Sequence, residues 1–163
     1  MEELQSEAFV LGARPFGESD AVVRVLTPEY GKIAGFLHGG QSAGKSGLCA
    51  PGTPVWVEWS ARTADQLGKI RIEPSGGLAP AIWDRPWRLN ALQAACAMLD
   101  RAVPEREAHP ALYAATLAWL DLLGSAEAET DWAQGFVHWE LGVQRALGFG
   151  LHLESCTLTG RRD

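Results

Sequence analysis

The chain is poor in cysteine and lysine and has no long apolar run. Its three cysteines, Cys49, Cys96 and Cys156, are odd in number and form no CxxC pair. That excludes a disulfide framework and a four-cysteine zinc site. No apolar run reaches the roughly 18 residues that a membrane-spanning helix needs, so none is expected. The first five residues are acidic and lack an apolar h-region, so no secretory signal is expected. A reduced, cytoplasmic protein is the reading. No internal repeat or low-complexity tract occurs. A hydrophobic content of 47% excludes intrinsic disorder. The 163 residues suit one domain, or two small subdomains sharing an interface.

Basic residues are outnumbered. The net charge of −6 argues mildly against nucleic acid as a partner. The average hides an asymmetry. Residues 1–79 carry seven Lys and Arg against nine Asp and Glu, and residues 80–163 carry seven against eleven. All three lysines, Lys32, Lys45 and Lys69, fall in the first half. A half so near neutral has room for one basic face.

Period-2 patterning fills the first half. Residues 7–14, 20–27, 31–38, 53–61 and 66–74 read as strands separated by turn residues. In the fourth, Val55, Val57 and Trp59 share one side, and Trp56 and Glu58 the other. In the fifth, Ile70 and Ile72 oppose Lys69, Arg71 and Glu73. Five short strands predict a small barrel rather than a βαβ unit. Residues 75–86 are dense in Gly and Pro. The period changes there from 2 to 3.6, which places a boundary between a barrel at 1–79 and a helical domain at 80–163.

Three helices are expected in the second half. Asp84 would cap the first, with Leu89, Leu92, Cys96, Leu99 and Val103 on one stripe. Pro110 would open the second, striped by Leu112, Thr116, Trp119, Leu120 and Leu123 and stopped by Gly124. The third would start near Thr130, bury Trp132, Phe136, Trp139, Val143 and Leu147, and end at Gly148.

Residues 39–46 spell GxxxxGKS, the phosphate-cradling P-loop. That chemistry needs backbone N–H groups converging on phosphate at the start of a helix. The following Gly47-Leu48-Cys49-Ala50-Pro51-Gly52 is not expected to be helical, and no strand supplies an aspartate for magnesium. The plain alternative is a Gly/Ser loop with one lysine. The same loop spells GxSxG, but a nucleophile elbow also needs a helix after its serine. His38, His109, His138 and His152 are scattered, with no pair at i, i+4. No catalytic residue, cofactor or metal site is expected.

Seven tryptophans are many for this length. Trp87, Trp119, Trp132 and Trp139 are expected in the helical core. Of Trp56 and Trp59, on opposite strand faces, at least one is expected to be exposed. A strand-borne aromatic beside cations is the arrangement that single-strand nucleic-acid platforms use. Arg14, Arg24, Lys32, Lys45, Arg62, Lys69 and Arg71 lie in or beside strands. Lys69 and Arg71 share a face; the face of Arg24 carries Val22 and Leu26. Seven cations on one small barrel make a phosphate-binding surface plausible, and a solvated surface would explain any one of them.

Taken in order, Leu26-Thr27-Pro28-Glu29-Tyr30-Gly31-Lys32, Pro51-Gly52, residues 55–59 and residues 66–74 resemble the N-terminal barrel of the RecO family of bacterial recombinational repair mediators. Residues 136–141 and 145–151 are similar to helical segments of that family. Cys156-Thr157-Leu158-Thr159-Gly160 resembles the start of its zinc-finger-like insert. The resemblance implies an OB-fold barrel followed by a helical domain, an α+β architecture, and a non-enzymatic role. It implies binding of single- and double-stranded DNA, strand annealing, contact with single-stranded-DNA-binding protein, and RecA loading with RecR in the repair of DNA damage. The DNA-binding surface would fall to Arg14, Arg24, Lys32, Lys45, Arg62, Lys69 and Arg71. Many relatives carry a Lys-Gly-x-Arg cluster after the third strand, where this chain has His38-Gly39-Gly40-Gln41, so weaker DNA affinity is expected. Members typically continue well past residue 163, so a fragment or a truncated homologue is expected. Two rival readings are a P-loop nucleotide hydrolase at residues 39–46 and an OB-fold protein-binding module.

Overall fold

The computed structural model describes residues 2–63, 66–151, 155 and 160–162. Cys156, His152 and the rest of the insert-like segment up to Thr159, except Ser155, lie outside the described residues. Five strands, β1 (Glu2–Phe16), β2 (Asp20–Thr27), β3 (Gly31–Leu37), β4 (Pro54–Ala61) and β5 (Gly68–Pro74), close into a barrel. Their order around it is β1-β2-β3-β5-β4. The β3–β5 pair is parallel and the other pairs are antiparallel. Helices follow: α2 (Pro80–Trp83), α3 (Pro86–Ala102), α4 (Pro110–Ser125) and α5 (Glu129–Ala146), with a short α1 (Ala43–Ser46) in the β3–β4 connection. The architecture is the small barrel plus helices that the patterning predicts, and the barrel is OB-like, as the resemblance implies. No helix among the described residues is long and apolar enough to cross a membrane.

One strand closes the barrel by serving two neighbours. Residues 2–9 of β1 pair with β4, and residues 9–16 pair with β2. The register shifts between Val10 and Gly12, and such a bulge bends a strand sharply. β1 starts at Glu2 rather than at residue 7. Leu4, Ser6 and Ala8 alternate inward there, and a polar Ser6 masks the period.

Two cores share the barrel wall. Val10, Val23, Val25, Ile33, Val55, Val57, Trp59 and Ile70 fill the interior. Phe9, Leu11 and Leu26 point outward and meet Ile82, Leu92, Leu99, Trp119, Leu123 and Trp139 of the helices. Each buried side chain of this kind contributes about 1.5–3 kcal/mol, whereas an exposed ion pair gives about 0–1. The apolar wall therefore docks the helices.

Several helix details depart from the patterning. Asp84 does not cap α3; it ends α2, a turn not expected, and Arg85 precedes Pro86 at the start of α3. Gly124 does not stop α4, which runs to Ser125. A Cβ at Gly124 would lie 2.6 Å from the Ala79 Cβ, so the glycine lets α2 approach α4. Gly148 does end α5. Its φ is 84°, and Gly148 and Phe149 donate their N–H groups to the carbonyls of Arg145 and Gln144, the Schellman pattern. Trp119 and Trp139 are buried and stacked. Trp87 is not core: it is 53% exposed in the first turn of α3. Its neighbour Arg88 takes the inward place and donates to the carbonyls of Leu123 (2.8 Å) and Ala126 (2.8 Å). Arg88 also pairs with Glu129 at 3.2 Å, which ties the end of α4 to the start of α5.

Candidate nucleic-acid interface

Of the seven candidate cations, Arg14, Arg24, Lys32, Lys69 and Arg71 are on strands, Arg62 follows β4 and Lys45 is in α1; they divide between a side covered by the helices and an open side. Arg24 and Lys32 lie under the helices. The Arg24 Nε donates to the Asp100 carboxylate at 2.6 Å, and the Lys32 ammonium donates to the Asp100 carbonyl at 2.6 Å. Lys32 is only 8% exposed. One residue at the end of α3 thus holds both cations. Arg14, Lys45, Arg62, Lys69 and Arg71 are exposed.

Strand register shows which of these meet. Arg14 opposes Val22, Val22 opposes Phe36, Phe36 pairs with Lys69, Lys69 opposes Ser60, and Ser60 opposes Glu3. This row runs round the outside of the barrel and returns to β1. Arg14 and Lys69 stand three strand spacings apart, about 14 Å. Arg62 and Lys69 line one groove of about 380 Å³, and Lys69 and Arg71 line another of about 270 Å³. Ser60 and Lys69 border both, which makes the surface continuous. Among the described residues, Arg14, Arg62 and Lys69 have no carboxylate within ion-pair reach. Arg71 lies 3.9 Å from Glu58 with its side chain 85% exposed, a pairing worth little in water.

Aromatic side chains separate in the same way. Trp59 closes the barrel interior, its indole N–H donating to the Ala34 carbonyl at 2.9 Å and its ring under the Arg106 guanidinium. Trp56 is the exposed member of that pair, but its cross-strand neighbours are Glu7 and Glu73. Acids on both sides repel phosphate. The aromatic pair flanked by cations is Phe16 and Phe36, with ring centroids 4.8 Å apart and planes at 57°. Sequence reasoning missed both. Phe16 lies just past the strand expected at residues 7–14, and Phe36 lies within the strand expected at 31–38, whose inward set is Ile33, Gly35 and Leu37. The available signal was Phe36 on the face opposite that inward set.

The loop at residues 39–46 folds on itself. It forms the four-residue α1 and a 3-10 turn at Gly47–Cys49, more helix than its composition predicts. The Lys45 ammonium donates to the His38 carbonyl at 2.8 Å and so closes the loop. The loop is pinned to the β1–β2 turn. The Gln41 amide donates to the carbonyls of Gly17 and Asp20, and the Asp20 carboxylate accepts from the Gly39 N–H at 2.9 Å. That backbone bond, opposed by burial and helped by Ser19 and His38, holds the Asp20 carboxyl below its ordinary value. Burial pushes the Cys96 thiol up to about 12, so it is no nucleophile at neutral pH.

Residues 1–76 match the family model described as Recombination protein O N terminal, and residues 86–163 match Recombination protein O C terminal. The chain is 44% identical over 162 residues to the DNA repair protein RecO of Rhodospirillum centenum, covering 99% of this chain and 63% of that protein. It is 40% identical over 162 residues to its counterpart in Rhodospirillum rubrum, covering 98% and 64%. For Paracoccus denitrificans the identity is 39% over 161 residues, covering 99% and 65%. The chain spans a little under two thirds of the length of these curated relatives. Two consecutive models of one family account for both the barrel and the helices: the chain belongs to the RecO family.

Proposed function

We propose that this chain binds DNA on the open side of its barrel and serves recombinational DNA repair without catalysing a reaction itself. The observation that carries the reading is the set Arg14, Arg62 and Lys69, exposed and unneutralised among the described residues on the side that the helices leave bare. Arg71 and Lys45 extend it. Arg24 and Lys32 are left out, because Asp100 holds them under α3. The repair role is supported by the name that the relatives carry, DNA repair protein RecO. In this reading residues 1–79 supply the DNA surface and residues 80–163 the helical support. Binding of both single and double strands, annealing, contact with single-stranded-DNA-binding protein and RecA loading with RecR follow from the family resemblance. Annealing would proceed by screening the phosphates of two approaching strands with the same cations.

Fluorescence anisotropy with a labelled single-stranded oligonucleotide across a salt series tests this. Affinity should fall linearly on a log–log plot, with a slope of about −0.7 per phosphate neutralised. Reversing charge at Arg62 and Lys69 together should weaken binding and flatten the slope. Absence of binding to either DNA form at low salt would overturn the reading.

A further inference from the structure

Resting on that DNA-binding reading, we infer that Phe16 and Phe36 form a base-stacking platform that makes the barrel prefer single-stranded nucleic acid to duplex. Phe16 is 52% exposed at the end of β1, and Phe36 is half-buried on β3. A single exposed aromatic on a soluble protein needs no explanation. Here two are in contact, and the cross-strand row that contains Phe36 carries on each side of it a cation with no ion pair among the described residues, Arg14 and Lys69. Val22, 2% exposed, lies between Phe36 and Arg14 in that row and is the floor of the patch.

The arrangement matches the chemistry of an unpaired strand. A base offers an apolar π-face flanked by phosphates. A base on the two rings would place its neighbouring phosphates toward Arg14 and Lys69. Bases in a duplex are already stacked and paired, so their faces are not open to the rings. A duplex would meet only the cations. Glu3 and Glu58 share the groove of Lys69 and Arg71. Asp20, a described acid on this patch, opposes Phe16 in register. Its carboxylate is engaged by the Gly39 N–H and by His38 at 3.0 Å. Glu18, in the same turn, is exposed and extends no ion pair to Arg14 among the described residues.

The test compares the full chain and its variants on a labelled oligothymidine and on a duplex of equal length. Phe16→Leu keeps an apolar side chain and removes the ring. It should weaken single-strand binding by about 5- to 150-fold. The salt slope and the duplex affinity should stay at native values. Phe16→Trp should restore single-strand affinity. Photocrosslinking of the unaltered chain to an oligonucleotide carrying 5-iodouracil gives a readout independent of any variant. Crosslinks should map to Phe16 or Phe36. Crosslinks confined to Trp56 or to residues elsewhere would overturn the platform. So would a Phe16→Leu variant that binds single strands as the native chain does, or that loses both DNA forms equally. In those cases the DNA-binding reading survives. Failure of the native chain to bind either form sinks both.

Discussion

The covered and open sides of the barrel use the same residue types to different ends. Under the helices, Leu26 joins a core, and Arg24 and Lys32 are fastened to one residue of α3. On the open side, Arg14, Arg62 and Lys69 project into water, and Arg14 and Lys69 flank the Phe16–Phe36 pair in strand register. Arg14 and Lys69, like Arg24 and Lys32, sit on outward positions of similar strands. What packs over a cation, more than its place in a strand, decides whether it holds the fold together or meets a ligand. The covered side should govern stability and the open side should govern binding, with little exchange between the two.

The strongest way to break that division is Leu99→Ala. Leu99 is fully buried between α3 and the barrel wall. Its truncation should cost about 2–5 kcal/mol, a fall in Tm of about 4–20 °C for a chain of this size. Lys69→Ala, on the open side, should change stability by no more than about 0.5 kcal/mol while weakening DNA binding. Thermal melts followed by circular dichroism measure both. Equal losses of stability would erase the distinction.

Double-mutant cycles sharpen the same comparison on a smaller scale. Arg24 and Asp100 make a short, largely covered ion pair, with side chains 27% and 19% exposed. Arg71 and Glu58 make a long, exposed one. Asp100→Ala alone should cost about 1–3 kcal/mol, because it leaves a half-buried guanidinium unmatched. The Arg24–Asp100 coupling should exceed about 0.5 kcal/mol, and the Arg71–Glu58 coupling should fall below it. A larger coupling for the exposed pair would contradict the division.

Much of the fold is legible because alternation is local. Val55, Val57 and Trp59 inward against Trp56 and Glu58 outward can be read from five consecutive residues, and the helix stripes from a few turns. What hides is set by partners distant in sequence. Gly124 reads as a stop signal, and only the approach of Ala79 explains it as a contact. Arg88 sits on an apolar stripe for carbonyls 35 and 38 residues away. The candidate site is legible as a set of residue types on a small barrel. Its division is not, since Asp100 lies 76 residues beyond Arg24 and 68 beyond Lys32. The Phe16–Phe36 contact likewise depends on how β1, β2 and β3 pair.

Acid gives the finest separation of the two sides. Glu129, at the helical junction, is pushed up by burial but more strongly down by the Trp132 indole N–H and by Arg88, so its carboxyl lies below the ordinary 4.5. Asp20, at the open end, is held below 3.8 chiefly by the Gly39 N–H. A carboxyl depressed in the folded state contributes stability that is complete above its ordinary value. That contribution is lost as pH falls through the lowered folded value. Glu129→Gln and Asp20→Asn should therefore melt below the native chain near pH 6. Their deficits should shrink as the pH falls below about 4. Glu129 is met by Arg85 and Arg88 as well as Trp132, so its deficit should be the larger. The Asp20 deficit should be the smallest change proposed for this chain, because its work is to pin one loop to one turn. A deficit at Asp20 that grows on acidification would mean that the folded state raises its carboxyl, and the loop would then be held by something other than the Gly39 bond.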